Sequence, residues 1–292
     1  MVRIVQISDT HLGRDEARFA GNWPPLAAWI AAEAPDLVIH SGDLSGDGAG
    51  VDDDFAYCAE LTEALPAPLL AVPGNHDVGD PFSTRQPPTA ERLSRWNARF
   101  GTDRWSRDVE DWRLIGFDSM ILSSGLPEEE AQFAWLEAEM HGADGRRIAW
   151  FCHQPLFIRG WEEGDTGYWT VRTGPRARLK ALADAYGLAL VGSGHVHLSH
   201  EMRLGGTRFV WCPSSAFTVG PGMQPPLGGE KWLGAVRYDF AGREVRTERV
   251  RLPQLRQHWI DDVAAAETGA PSQGSQPARD VHAPTQVGKP DG

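Results

Sequence analysis

The apolar residues of this chain fall into short unbroken runs that alternate with longer stretches at helical spacing. Residues 2–8, 37–40 and 69–72 read as buried strands, each too short and too continuously hydrophobic for an exposed helix. Between them, 24–33 and 55–65 read as helices, the first with proline in its opening turn and Pro35 just past its end. The order is β-α-β-α-β, which joins parallel strands by helical crossovers. Further along, 89–100 reads as a helix, 104–109 and 112–117 as strands, and 128–140 as a helix opening after Pro127. Strands at 148–151 and 188–191 follow, separated by a helix at 175–186. The pattern then turns antiparallel: 202–204 and 207–211 flank Gly205-Gly206, and 232–238 and 245–250 flank Ala241-Gly242, both hairpin signals. From about residue 264 the chain is rich in Ala, Gly, Pro, Ser and Gln without periodicity, and reads as a disordered tail.

Five predicted strand ends carry side chains of one chemical kind. They are Asp9-Thr10-His11, Gly42-Asp43, Gly74-Asn75-His76-Asp77, His153 after Cys152, and Gly194-His195-Val196-His197. An Asp after a strand is ordinarily a helix cap and a lone His ordinarily packs. The recurrence at successive strand ends is what changes the reading. Asp9, Asp43 and Asn75 are 34 and then 32 residues apart, about one crossover unit each, so all three emerge at the carboxyl edge of one parallel sheet. Two carboxylates, one amide oxygen and four imidazoles are enough for two adjacent cations sharing one carboxylate. Such donors suit Mn, Fe, Zn or Co; Ca would take an oxygen-only cage and a structural zinc site would take thiolates.

With these motifs in this order, the chain resembles the calcineurin-like metallophosphoesterase superfamily, whose signature is D-x-H, G-D, G-N-H-D/E, a lone H and G-H-x-H. The resemblance spans roughly the first 250 residues and implies an α/β fold of mixed sheets in a four-layer α-β-β-α sandwich. It implies one metal held by Asp9, His11 and His197, a second by Asn75, His153 and His195, and Asp43 bridging both. The metals would be two divalent or trivalent ions, Mn, Fe or Zn, supplying an activated water that attacks a phosphate ester. His76, beside Asn75 and outside the ligand set, is the candidate acid for the leaving oxygen. Asp77 is either an acceptor that holds His76 in its tautomer or a cap for the next turn. Gln6-Ile7-Ser8-Asp9-Thr10-His11-Leu12 and Val72-Pro73-Gly74-Asn75-His76-Asp77 are similar to the bacterial branch of class III cyclic-nucleotide and glycerophosphodiester phosphodiesterases. Several members of that branch carry a second His where this chain has Gln154, and this departure bears on the cyclic-nucleotide assignment.

Between His153 and the helix at 175–186 lies a segment rich in Phe, Trp, Tyr and Arg, including Phe157, Arg159, Trp161, Tyr168, Trp169 and Arg172. Because it starts directly after a ligand it is expected to overhang the site, with Trp161 and Trp169 offering faces to a base or sugar and Arg172 meeting phosphate. Arg14 is a second candidate phosphate contact, with Arg18 near it. Packing of the rings and simple surface charge are the alternative roles. His40, His200 and Asp118 also stand near strand ends and read as packed or capping residues.

Composition narrows the partners. The formal charge of −12 and the lack of a dense Lys/Arg patch argue against a broad nucleic-acid or anionic-membrane surface, while a phosphate ester could still bind because two metal ions invert the local field. No apolar stretch approaches the ~20 residues that span a bilayer. Cys58, Cys152 and Cys212 are odd in number and set among apolar residues, so they read as free thiols in a reducing compartment. With the first strand at residue 2, the expected location is the cytoplasm. The expected domain is 1–253, followed by a C-terminal extension over 254–292; a homo-oligomer is left open. Three alternatives stand beside a phosphodiesterase: a phosphomonoesterase, a nuclease of the same superfamily, and a non-catalytic metal-binding scaffold. A chain ended after Ala265 is expected to keep its activity and melting temperature, since so little apolar surface is removed. A large fall in melting temperature would instead mean that the tail docks or builds an oligomer interface.

Overall fold

The computed structural model describes residues 1–14 and 17–262. The disordered tail expected from about residue 264 lies outside the described residues. Eleven strands are described: β1 (Val2–Ile7), β2 (Leu37–His40), β3 (Leu69–Ala71), β4 (Trp105–Val109), β5 (Trp112–Gly116), β6 (Arg147–Phe151), β7 (Leu188–Ser193), β8 (His200–Leu204), β9 (Thr207–Trp211), β10 (Gly234–Ala241) and β11 (Glu244–Arg251). The helices are α1 (Ala17–Ala20), α2 (Trp23–Glu33), α3 (Asp52–Glu63), α4 (Asn75–Val78), α5 (Ala90–Phe100), α6 (Pro127–His141) and α7 (Thr173–Tyr186).

The strands form two mixed sheets. One runs β11-β10-β1-β2-β3 and the other β4-β5-β6-β7-β9-β8. The crossovers are as the spacing predicts, since β1 pairs parallel with β2 and β2 with β3. Both hairpins are antiparallel, β8 with β9 and β10 with β11. Period-2 alternation along the strands sorts their side chains into layers. From β1, Ile4 enters the central core while Val5 and Ile7 face the outer core with α2, α3 and α5. From β6, Ala149 and Phe151 enter the central core while Ile148 and Trp150 join the outer core with α6 and α7. The result is α-β-β-α, with a core between the sheets and one under each helical layer.

A register shift between Ile148 and Ala149, opposite β7, shows what a bulge does to this sorting. Ala189 and Leu190 both lie in the central core, and Leu188 and Val191 both lie in the outer one. Buried Gln6 of β1 links the sheets through Nε2, which donates to the Ser193 carbonyl of β7 at 3.5 Å; within its own sheet it donates to Ser41 Oγ at 2.8 Å and accepts from Tyr238 at 2.7 Å. Residues 254–262 return to the loop after β9. There Ile260 N donates to the Thr218 carbonyl, and Asp261 accepts from Gly220 N at 2.6 Å. Cys58, Cys152 and Cys212 are all buried and free. No helix among the described residues is long and apolar enough to cross a membrane.

Candidate metal centre

The carboxyl ends of β1, β2, β3, β6 and β7 converge, because parallel neighbours within each sheet place their following loops on one edge. Asp9 and His11 follow β1, Asp43 follows β2, Asn75 opens α4 after β3, His153 follows β6, and His195 and His197 follow β7. All seven are buried. Six of them form two groups able to hold an ion, Asp9/His11/Asp43/His197 and Asp43/His153/His195, with Asp43 common to both and Asn75 beside the second. Asp43 Oδ2 stands 3.7 Å from His11 Nε2 and 3.4 Å from His153 Nε2, so one oxygen faces both groups. Its other oxygen accepts from His76 N at 2.9 Å. Asp9 Oδ1 is 3.2 Å from His197 Nε2, and Asn75 Oδ1 is 3.2 Å from His153 Nε2.

Backbone carbonyls decide which ring nitrogens face the centre. A carbonyl only accepts, so a ring nitrogen bonded to one carries the proton and leaves its partner bare in the neutral ring. His153 Nδ1 donates to Ser41 O, His197 Nδ1 to Phe217 O and His195 Nε2 to Tyr168 O, each at 2.8 Å. The bare nitrogens then oppose one another, with His153 Nε2 only 3.1 Å from His195 Nδ1. Two facing lone pairs repel unless a positive charge stands with them, and buried acceptors converging in this way fit a cation. Without metal a proton takes that place. Although burial disfavours the charge, the Asp43 carboxylate pushes His153 up to about 9, while burial and the charge on His153 push His195 down to about 3. Burial and neighbouring His76 hold His11 well below its ordinary value. Against the cost of burial, the nearby His197 and His153 hold Asp9 below the usual carboxylate range.

The backbone is strained at the same residues. Asp9, His11, Asp43, His195 and His197 all have φ between 42° and 69°, the left-handed region that side chains with a Cβ avoid. Each such residue costs about 1–3 kcal/mol and is held by its surroundings, here by Asp9 N to Gly42 O, His11 N to Asp43 O and Ser214 Oγ to Asp9 O. Glycines give the room. A Cβ on Gly194 would stand 1.9 Å from Ser8 Oγ, and one on Gly74 would stand 2.2 Å from Asp43 Oδ1 and 2.3 Å from Asp43 N. Gly74→Ala is therefore expected to displace Asp43, lowering metal content and costing roughly 1–3 kcal/mol of stability. Elemental analysis and a melting curve check this; full metal content at an unchanged melting temperature would refute it.

His76 is half-buried beside this cluster, its ring edge-on to His11 with centroids 4.6 Å apart. Its Nδ1 donates to the Gly46 carbonyl at 2.6 Å. Burial opposes its charge, but Asp43 and that carbonyl raise its pKa above the ordinary value. Asp77 does not bond to His76. It accepts from Leu44 N, Ser45 N, Ser45 Oγ and Gly74 N, tying the loop after β2 to the turn that carries Asn75.

The other candidates are placed as follows. Arg14 is exposed, paired with Glu60 at 3.3 Å and stacked over Tyr57. Trp161 packs between Phe157 and Phe209 in the outer core. Trp169 packs against the cluster of Ile158, Val196, Leu198 and Trp211. Arg172 lies over Phe82 at 4.2 Å, with a buried Nε that has no partner among the described residues, and its charge reaches Asp80. His40 bonds Thr10 Oγ1 at 3.0 Å, and burial pushes it down to about 3. Phe217 escaped selection from sequence, and Tyr168 was named only as one ring of the aromatic segment. Phe217 sets its ring within 4.7 Å of His11 and 4.4 Å of His197, and Tyr168 sets its ring 4.5 Å from His195. For Phe217 the only signal was its position, just after β9 at the same sheet edge.

Known proteins share this arrangement of sequence and fold. A probable glycerophosphodiester phosphodiesterase, GpdQ of Arcobacter nitrofigilis, is 29% identical over 213 residues, covering 66% of this chain and 71% of the relative. The 3',5'-cyclic adenosine monophosphate phosphodiesterase CpdA of Pseudomonas aeruginosa is 29% identical over 250 residues, covering 80% and 85%. A dimetal phosphatase of Danio rerio superposes with a TM-score of 0.56 at 13% identity, over 84% of this chain and 98% of that one, a likeness of fold. The profile of the calcineurin-like phosphoesterase family matches residues 2–199, and this chain belongs to that family.

Proposed function

We propose that the chain is a binuclear metal-dependent phosphodiesterase acting on a small phosphodiester. Asp9, His11 and His197 would hold one ion and Asn75, His153 and His195 the other, with Asp43 available to both. The observation that carries the reading is the single Asp43 oxygen facing both groups, since a shared carboxylate is what lets two cations sit side by side. When bound, two such ions supply a nucleophile from water at neutral pH and neutralise charge on the phosphoryl group. The donor set of carboxylate, amide and imidazole favours Mn, Fe or Zn.

The chain's own residues do the rest. Ser41, Phe217 and Tyr168 carbonyls orient the imidazoles, and the Gly46 carbonyl holds His76 with Nδ1 protonated. In the protonated ring Nε2 carries the second proton and can give it to a leaving oxygen. A diester is favoured over a monoester by the relatives named as cyclic-nucleotide and glycerophosphodiester phosphodiesterases. Three buried free thiols support a reducing compartment such as the cytoplasm.

The test is a panel of bis-nitrophenyl phosphate, nitrophenyl phosphate, 3',5'-cyclic AMP and a glycerophosphodiester, offered to protein loaded separately with Mn, Fe or Zn. Turnover of diesters with two ions per chain is expected. Turnover of the monoester alone would overturn the diester assignment, and two tightly bound ions without any hydrolysis would favour a scaffold.

A further inference from the structure

The candidate ligands are buried, so the surface that meets a substrate must come from residues around them that stay open. Tyr168 is one, 37% exposed yet anchored at both ends. Its carbonyl accepts from His195 Nε2 at 2.8 Å and from Gln154 Nε2 at 3.0 Å. Gln154 is 2% exposed and is itself fixed through its backbone N–H, which donates to Ser119 Oγ at 2.9 Å. Gln154, which follows the lone His directly, is therefore the residue that pins the Tyr168 backbone beside His195. A carbonyl, however, can come from any residue and does not account for a phenol.

The phenol has its own setting. Its ring lies on His195 with centroids 4.5 Å apart, on the side of the cluster where Asn75 stands. Asn75 Oδ1 faces His153 Nε2 at 3.2 Å, which leaves the amide Nδ2 as the donor end of that side chain. A tyrosine oxygen that accepts from an amide still has its O–H to give. We infer that Tyr168 is a substrate-contacting residue, its hydroxyl donating to a non-bridging oxygen of the bound phosphate ester from the Asn75 and His195 side of the cluster. The assignment rests on the phosphodiesterase reading above. It gives the site a neutral donor beside its cations, one that marks where the phosphoryl group lies and leaves the ring edge to meet the ester's organic part.

Tyr168→Phe separates the hydroxyl from everything else, because the ring on His195 and the carbonyl to Gln154 both remain. The measurements are metal content, affinity for the second ion, and calorimetric binding of inorganic phosphate by metal-loaded protein, for wild type and variant. The variant is expected to hold two ions with unchanged affinity while binding phosphate about tenfold more weakly, with an equal loss in kcat/KM for bis-nitrophenyl phosphate carried by KM. Unchanged phosphate binding would overturn the assignment. So would a matching fall in affinity for the second ion, which would make Tyr168 a positioning residue acting through Asn75. Wild-type protein that binds neither metal nor phosphate would overturn the reading of the centre itself, and the assignment with it.

Discussion

Asp43→Ala is expected to lose both metals and essentially all turnover. Asp43 is the only side chain common to both groups, and one of its oxygens faces His11 on one side and His153 on the other. Two cations this close repel, and the shared anion screens them; removing it therefore weakens both sites, where removing His11 or His195 weakens chiefly one. The ions supply several kcal/mol of stabilisation to the charge that grows on the phosphoryl group, so turnover is expected to fall by roughly 10³ or more. The same substitution removes the acceptor for His76 N, which loosens the turn at Asn75 and adds to the loss. Elemental analysis on protein whose melting curve in chelator matches wild type separates metal loss from unfolding. Two ions still bound per variant chain would contradict the bridging assignment.

The legibility of this centre in the sequence follows from the kind of interaction that builds each part. The strands ending before Asp9, Asp43 and Asn75 were readable because buried parallel strands are continuous apolar runs, and crossover connections have a narrow range of lengths. The convergence of their side chains follows from that spacing alone. The strand on the other side of β1 from β2 was not readable. β10 pairs with β1 from more than two hundred residues away, in a register from Val2 opposite Phe240 to Gln6 opposite Val236, and nothing local encodes that partner. The contacts that orient the ligands were hidden for a different reason. Ser41, Phe217 and Tyr168 act through their carbonyls, and a carbonyl has no residue type. Asp77 was ambiguous because the short helix α4 places it against Leu44 and Ser45, two loops away in sequence and adjacent only in space. Trp161 illustrates the limit of composition. Its place in a segment tethered at His153 suggested a substrate wall, and the fold sets it against Phe209 of β9.

His76→Ala is expected to separate chemistry from metal binding, keeping both ions while turnover falls by roughly 10²–10⁴, the range for a positioned acid. The ring contributes no nitrogen to either group, and the contact to Asp43 runs through its backbone N–H, which alanine retains. What alanine removes is an imidazole whose Nδ1–H is held by the Gly46 carbonyl, leaving Nε2 as the atom that can carry the proton. If its proton goes to the leaving oxygen, the loss must scale with how much that oxygen needs it. A nitrophenolate leaves without help and an alkoxide does not, so the loss is expected to be small for bis-nitrophenyl phosphate and large for an alkyl diester. An equal loss for both would mean that His76 binds the phosphate instead, and a loss of metal would place it among the ligands.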